Sequence, residues 1–248
     1  MYRILIVLAL PIVLVAQSGY ELAKAMEEVE SPKDMKSKMT MTLTNKQGKS
    51  RESTLQSVSA DDNKKQIIWF LSPADDRGVA FLKIEHDDKD DEMRLWLPAF
   101  KKVRRISSKK KADSFMGSDL SYEDMTSRAL DEYTYEITGE RVMEGIDCHI
   151  LESVPKAGVT RTYKRFVTYV SKADLIPIID EAYDMRDKLL KKRVMNYTKQ
   201  KKYHLPSEIY VENVQKDHST RLTFEEVQVD TGVEDELFQE KNLKRIPR

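Results

Sequence analysis

Apolar residues recur at two different spacings along the chain. In residues 19–35 they lie three or four positions apart, which predicts a short amphipathic helix that ends near Pro32. From Ser37 onward apolar and polar residues alternate, as in "SKMTMTLTN", and a spacing of two is typical of strands with one buried face. The folded part of the chain is therefore predicted to begin with a helix and to continue as strands.

The alternating segments are separated by short stretches rich in Asp, Asn, Gly and Pro, which predict turns. We expect roughly ten to twelve strands, including one over residues 96–106, and a polar, poorly periodic tail after residue 230. No long helical segment separates the strands, so they are expected to form one antiparallel sheet that curls to bury one face. The predicted fold class is mainly β, with a single curved antiparallel sheet.

Residues 4–16 form an uninterrupted apolar run behind the basic start Met1-Tyr2-Arg3. The run has the length of a signal-peptide core and is short for a membrane span. Small residues near position 16 provide cleavage patterns, so we predict a signal peptide over residues 1–18 and a single domain over residues 19–248. An uncleaved N-terminal anchor is the alternative.

Charge and cysteine content exclude several classes of protein. Lys and Arg total 42, as do Asp and Glu, so no net field attracts nucleic acid and any basic patch is local. The single cysteine, Cys148, excludes an internal disulfide, and its alternating context predicts a buried thiol. The four histidines lack metal-ligand spacing, and the acidic run at residues 86–92 is typical of a solvated turn. No cofactor or metal is predicted.

One segment, "WLPAFKKVRRISSKKKADSFMGSDLSYEDM" at residues 96–125, changes character twice. Its strand-like start runs into a dense basic stretch. This stretch contains Lys101, Lys102, Arg104, Arg105, Lys109, Lys110 and Lys111. Such a stretch is either a contact for anionic headgroups or a partner protein, or a solvated strand face that continues into a mobile loop.

The last third of the same segment has an apolar side. It is formed by Phe115, Met116, Leu120, Tyr122 and Met125. The pair Ser121-x-x-Asp124 matches a helix-capping signature, so a short helix is predicted there. Between two strands of a curled sheet, this helix would act either as a lid over the open mouth or as an inert plug that completes the core.

The face predicted to be concave is rich in methionine and aromatic residues. It carries Met39, Met41, Trp69, Phe81, Met93, Leu95 and Phe166. Such side chains can adapt to a variable apolar guest, or they can simply pack on one another and on the N-terminal helix. As the wall of a cavity, we predict Trp69, Phe81, Leu95 and Trp96.

Three stretches together resemble a known family: residues 95–125, the segment "YEITGERVMEGIDCHILESVPK" and the segment "YVSKADLIPIIDEAYD". They are similar to the LolA-like outer-membrane lipoprotein-sorting family, in its uncharacterised branch often found beside RND-type exporters. The similarity covers nearly the whole chain after the predicted signal. It implies an unclosed LolA/LolB-like β-barrel with short helices over an apolar concave face. The arginine with which the sorting carriers stabilise a closed lid has no aligned counterpart here.

The resemblance implies a non-enzymatic periplasmic carrier or chaperone that moves a lipid or lipidated protein from the inner to the outer membrane. Its partners would be acyl chains, an inner-membrane exporter, an outer-membrane acceptor and, transiently, a membrane surface, but no nucleic acid, and it would be a monomer. The alternative is an accessory or sensor module of an RND-type exporter with a filled core. A hydrolase would require Ser118, Asp119 and a distant histidine to converge, and no nucleophile–base spacing indicates this.

Overall fold

The computed structural model describes residues 18–247, so the predicted signal peptide lies outside the described residues except for Ser18. The first element is the predicted helix, α1, at Gly19–Glu27. Ser18 caps it reciprocally: its Oγ accepts from the Glu21 N–H at 3.1 Å, and the Glu21 carboxylate accepts from the Ser18 N–H at 2.9 Å. An added Cβ at Gly19 would lie 2.5 Å from the Tyr135 backbone, so glycine permits this close approach of helix and sheet.

All strands of the described chain belong to one antiparallel sheet of 13 strands. The strands are β1 Asp34–Thr44, β2 Ser50–Ala60, β3 Lys65–Ser72, β4 Ala80–Ile84, β5 Glu92–Leu97, β6 Lys102–Arg105, β7 Tyr133–Met143, β8 Ile146–Pro155, β9 Arg165–Ser171, β10 Pro177–Tyr183, β11 Leu189–Gln200, β12 Tyr203–Asn213 and β13 His218–Val229. Their order is β6-β5-β4-β3-β2-β1-β13-β12-β11-β10-β9-β8-β7. The two outermost strands do not pair, so the sheet is unclosed, and the predicted fold class is confirmed.

The prediction of one strand over residues 96–106 is wrong. The strand β5 ends at Leu97, a short 3-10 turn covers Pro98–Phe100, and Lys101 adopts a left-handed conformation with φ 48°. The chain then returns as β6, with Trp96 opposite Val103. Proline lacks the N–H that a continuing strand would need, which explains why the apolar alternation stops being a strand at Pro98.

The strands β6 and β7 are consecutive in the sequence but lie at opposite edges of the sheet. The 27 or so residues between them must therefore cross from one edge to the other. We call residues 106–132 the strap. Three 3-10 turns interrupt it, at Ser108–Lys110, Glu123–Met125 and Leu130–Glu132. The helix predicted from the capping signature is thus reduced to one 3-10 turn, which ends where Thr126 becomes extended with ψ 157°. The Met125 carbonyl then accepts from Lys83 Nζ at 2.8 Å.

Both faces of the sheet bury apolar side chains. On one face, seven strands that are neighbours in the sheet meet the strap in a single apolar cluster that contains Met41, Phe70 and Phe81. These strands are β5, β4, β3, β2, β1, β13 and β12. Strands that are so far apart in the sheet order share a cluster only because the sheet curls around the strap, so this face is concave. On the convex face, Ile67 and Trp69 pack against residues 231–247, which we call the C-terminal cover.

Candidate functional site

The centre of the strap is a tight hairpin over residues 113–123. The Phe115 N–H donates to the Leu120 carbonyl at 2.7 Å, and the Ser118 N–H donates to the Phe115 carbonyl at 2.9 Å. Met116 and Gly117 form the turn, with φ of 49° and 79°. Two successive positive φ values define a type I′ turn, and glycine adopts the second one without strain. This turn lies within the four-residue loop, residues 116–119, that the pairing of Phe115 with Leu120 leaves.

This hairpin places its apolar side chains inside the curled sheet. Phe115, Leu120 and Tyr122 are 3%, 7% and 5% exposed. The Phe115 ring centroid lies 5.2 Å from that of Phe81 in β4 and 5.9 Å from that of Tyr122, both in edge-to-face geometry. Burial raises the pKa of Tyr122. The strap therefore fills the hollow that the concave face would otherwise present.

The predicted cavity wall is divided between the two faces. Phe81 and Leu95 lie in the concave cluster, and Met116 and Met125 of the predicted lid pack at its margin. Trp69 and Trp96 lie on the convex face, where Trp69 Nε1 donates to the Asn242 carbonyl at 3.3 Å. The prediction that these two tryptophans line the concave cavity wall is therefore wrong. In β3 the concave face instead belongs to Ile68 and Phe70.

Two buried carboxylates connect the strap to strands β10 and β11. The first is Asp124, in the strap itself. Its Oδ2 accepts from Lys191 Nζ at 2.7 Å and from the Tyr163 hydroxyl at 2.8 Å, and the side chain is 10% exposed. Burial opposes the charge of Asp124, but the nearby Lys191 and Arg193 outweigh it and hold the pKa below its ordinary value. Asp124 is thus an ionised contact between the strap and β11.

The second carboxylate, Asp180 of β10, is 5% exposed and receives Arg128 of the strap. Arg128 donates to both carboxylate oxygens, Arg193 Nη2 donates at 2.7 Å, and Thr168 Oγ1 donates at 2.6 Å. Burial opposes ionisation, but the two arginines lower the pKa of Asp180 well below its usual range. The guanidinium of Arg128 also stacks on Phe166, 3.6 Å from the ring centroid.

A third polar contact joins the strap to strand β4. Lys83 of β4 is fully buried, and its Nζ donates to the Met125 carbonyl at 2.8 Å and to Glu85 Oε1 at 2.6 Å. The other oxygen of Glu85 accepts from the Ser127 N–H at 3.1 Å. Burial lowers the pKa of Lys83 although Glu85 favours its charge.

Sequence reasoning missed Lys83, Asp180 and Arg193 as parts of the site. In the sequence each looks like an ordinary polar residue of an alternating strand. The one usable signal was Asp180, which interrupts the apolar run of "LIPIIDEAYD" in a strand that buries Ile178, Ile179 and Ala182.

The tip of the hairpin carries an Asp–His pair. Asp119 Oδ2 accepts from the Thr220 hydroxyl and lies 2.7 Å from His218 Nδ1, while the Asp119 N–H donates to Thr220 Oγ1 at 2.8 Å. The predicted requirement for a hydrolase is met only in part, because the Ser118 hydroxyl donates to the Leu120 carbonyl and the Ser114 hydroxyl to the Ser118 carbonyl. Neither serine is arranged as a nucleophile against the imidazole.

The predicted basic stretch lies at the edge of the sheet, on and after β6. Lys101, Lys102, Arg104, Arg105 and Lys109 are exposed, and in the described chain neither they nor Lys110 form a salt bridge. Of this stretch, Lys111 alone forms a salt bridge, with Asp91 at 2.8 Å. The adjacent Phe100, at the turn between β5 and β6, is 75% exposed.

Residual space next to the strap has a mixed polar and apolar lining. A cavity of about 220 Å³ lies between α1 and the strap, lined by Met26, Arg128, Tyr133 and Arg161 among others. Within residues 18–247 no helix has the length and apolarity of a membrane span. In the same range no three His, Cys, Asp or Glu side chains come together as metal ligands.

An unclosed antiparallel sheet whose apolar concave face is crossed by its own connecting segment defines the half-barrel class of LolA-like folds. A family model described only as that of an uncharacterized protein matches residues 62–245. A DUF1329 family protein from Desulfovibrio piger is 34% identical, with 91% of this chain and 97% of that chain covered and a TM-score of 0.85. A protein described as an outer membrane lipoprotein-sorting protein domain, from Vibrio parahaemolyticus, is 32% identical, with 92% and 98% covered and a TM-score of 0.86.

A LolA superfamily protein from Nitrosomonas europaea shares the fold at 17% identity, with 91% of this chain and 99% of that chain covered and a TM-score of 0.71. No curated protein matches the chain. The chain belongs to the LolA-like outer-membrane lipoprotein-sorting protein family, and the resemblance found in its motifs is confirmed.

Proposed function

We propose that the protein is a non-enzymatic periplasmic carrier or chaperone that shelters a lipid or the acyl chains of a lipidated protein beneath the strap. The observation that carries the proposal is the position of Phe115, Leu120 and Tyr122 inside the curled sheet. These side chains belong to a connecting segment rather than to a strand, so a guest can replace them without breaking the sheet. In this proposal Phe81 and Leu95 form the wall, and Phe115, Met116, Leu120, Tyr122 and Met125 form the lid.

The energetics suit a carrier that has to release its cargo. Hiding each methylene from water contributes about 0.8 kcal/mol, so a chain of about 16 carbons gains on the order of 12 kcal/mol. Displacing the strap exposes three large side chains and separates the ion pairs of Asp124 and Asp180. Part of the binding free energy is therefore used to open the strap, and its return favours release.

Binding of an acyl probe to the purified protein tests this proposal. We expect lipid to co-purify by native mass spectrometry and a dansyl-labelled fatty acid to bind. Hydrogen exchange at the Phe115, Ser118 and Tyr122 amides, which are bonded within the hairpin, should accelerate when the probe binds. The Phe238 and Asn242 amides of the C-terminal cover are the internal control and should not change. The absence of both lipid and probe binding would overturn the proposal.

The membrane-facing side of the carrier is the edge strand β6 and its turn. An exposed aromatic residue, Phe100, beside cations that lack partners among the described residues matches the chemistry of an anionic membrane surface. Binding to vesicles with anionic lipids should weaken about tenfold or more in Lys101→Glu/Lys102→Glu, since each charge contributes on the order of 1 kcal/mol. The matched variant Lys33→Glu/Lys199→Glu changes the charge equally elsewhere and should bind normally. Equal loss in both variants would show that only net charge matters.

The filled interior supports a second candidate, an accessory or sensor module of an exporter whose strap stays closed. The three polar contacts of the strap favour this alternative, because each buried charge already has a partner in the closed form. Co-purification with an inner-membrane exporter, together with strap exchange that no acyl probe changes, would select it over the carrier.

A further inference from the structure

A separate pocket of about 340 Å³ lies at the tip of the strap. Three segments form it: the hairpin of the strap, the turn between β1 and β2, and the turn between β12 and β13. Its lining residues are Asn45, Lys46, Gln47, Ser114, Gly117, Ser118, Asp119, Lys216 and His218. We propose that this pocket binds a phosphate group that links the strap to the sheet, and the proposal rests on the carrier function proposed above.

The protons around Asp119 determine how His218 faces the pocket. Thr220 Oγ1 accepts the Asp119 N–H and lies 2.7 Å from Asp119 Oδ2, so its single proton is donated to that carboxylate. The same oxygen lies 2.7 Å from His218 Nδ1. A carboxylate accepts only, so Nδ1 carries a proton. The Nε2 of the neutral ring accepts a hydrogen bond from a protonated phosphate oxygen, and on the imidazolium it donates one to a phosphate oxygen.

The charge of the pocket is positive. Lys46 and Lys216 are exposed, and within the described chain neither forms a salt bridge. Asp119 is the only carboxylate among the lining residues, and its Oδ2 is engaged by Thr220 and His218. The Asn45 side-chain oxygen accepts from the Gln47 and Lys49 N–H groups, both at 3.0 Å, so its amide NH₂ remains as a donor.

These donors belong to two segments, the turn between β1 and β2 and the turn between β12 and β13, and suit a tetrahedral anion better than a carboxylate. A phosphate offers three or four acceptor oxygens in different directions, whereas a carboxylate offers two in one plane. The group comes either from a lipid headgroup, whose chains would enter beneath the strap, or from free phosphate. Because the pocket lies between Gly117 of the strap and the two turns that carry Lys46 and Lys216, the bound anion would contact both the strap and the turns of the sheet.

The test compares three probes on the full chain: dihexanoyl phosphatidic acid, dihexanoylglycerol and inorganic phosphate. We expect the phosphatidic acid to bind more tightly than the neutral glyceride, and Lys46→Ala/Lys216→Ala to reduce its affinity about tenfold, as expected for lost charge-assisted hydrogen bonds. The glyceride should bind this variant normally. The control Lys33→Ala/Lys199→Ala removes the same charge beyond the other end of β1 and should leave all affinities unchanged.

Nitrogen-15 chemical shifts of the histidine side chains give a second readout. Phosphatidic acid should shift His218 Nε2 and leave His86 and His204 unchanged. If inorganic phosphate produces the same His218 shift and displaces the lipid, free phosphate is the source of the bound group. Equal affinity for the charged and neutral lipids would overturn this inference while the carrier function stands. A phosphate-dependent His218 shift without any acyl binding would support the pocket and overturn the carrier.

Discussion

The two faces of the sheet are covered by segments that look alike in apolar burial and differ in how they are held. Phe115 anchors the strap on the concave face, Phe238 anchors the C-terminal cover on the convex face, and each is 3% exposed. The strap is also held by ion pairs through its own Asp124 and through Asp180 of β10, whose side chains are 10% and 5% exposed. The cover has ion pairs through Asp235 and Glu240, whose side chains are 74% and 52% exposed.

In the proposed carrier, this difference favours the strap as the covering that opens. A buried ion pair gains Coulomb energy but loses hydration, so its net contribution to stability is small. When the strap leaves, Arg128 and Asp180 regain water, which offsets most of the broken contact. An apolar anchor regains nothing in water. Buried charge thus defines one closed position of the strap without making its release prohibitive, whereas the cover is held mainly by apolar contacts and one indole hydrogen bond.

The largest expected effect comes from matched truncations of the two anchors. Phe115→Ala and Phe238→Ala should each lower the free energy of unfolding by about 3–5 kcal/mol, because each leaves a cavity in a packed cluster. Only Phe115→Ala should increase the affinity for a fatty-acid probe, since its cavity opens into the concave face. Urea titration and probe binding measure the two effects. Tighter probe binding in Phe238→Ala would mean that the guest lies on the convex face.

The next effect separates buried from exposed charge. Asp180→Asn leaves Arg128 and Arg193 without their carboxylate and should destabilise the protein by about 3 kcal/mol, the lower end for a broken buried pair because both arginines keep some access to water. Asp235→Asn on the convex face should change stability little, since its pair with Lys65 is exposed. Hydrogen exchange should accelerate in the strap of Asp180→Asn only. Uniform acceleration over both coverings would contradict the assignment of Asp180 to the strap.

Alternation predicted the sheet well, because strand periodicity is a local property, but it could not assign faces where both are buried. In β3 the run from Ile67 to Phe70 is buried throughout, so the sequence offers no polar positions that mark the outside. Trp69 was therefore placed on the wrong side. The sequence does not reveal the C-terminal cover for a related reason: Phe238 follows one 3-10 turn and Leu243 lies in another, and such turns lack the period of a helix or strand.

The sequence predicts that the strap covers the sheet, but it does not predict the polar contacts that hold the strap in place. Its apolar residues and the Ser121–Asp124 pair are visible in the sequence, and both are used as such in the structure. Its partners are not visible, because Lys83 and Asp180 lie about 40 and 50 residues from the strap residues they bind. Such pairings depend on the order of strands in the sheet, which periodicity does not determine.

A smaller effect appears in acid. Because the folded-state pKa of Asp124 lies below the unfolded value of 3.8, its carboxylate stabilises the fold fully above that value. This contribution disappears as the pH falls through the folded-state pKa. Asp124→Asn should therefore be less stable than wild type at neutral pH, and the difference should shrink below pH 3.8. We expect a smaller loss than for Asp180→Asn, since Lys191 keeps the Tyr163 hydroxyl at 2.7 Å. A difference that stays constant in acid would contradict an ionised Asp124.

The smallest effect tests whether the convex cover needs any charge. Lys244 Nζ lies 5.0 Å from the Trp96 ring centroid, and such a pair at an exposed site contributes about 0.5–1 kcal/mol. Lys244→Ala should lower stability by no more than that, change the tryptophan fluorescence, and leave acyl binding and strap exchange unchanged. Lys191→Ala is the matched test on the strap, because its Nζ lies 5.3 Å from the Tyr163 ring. It should cost more, since it also leaves the buried Asp124 without its lysine, and equal losses would show that buried charge does not distinguish the two coverings.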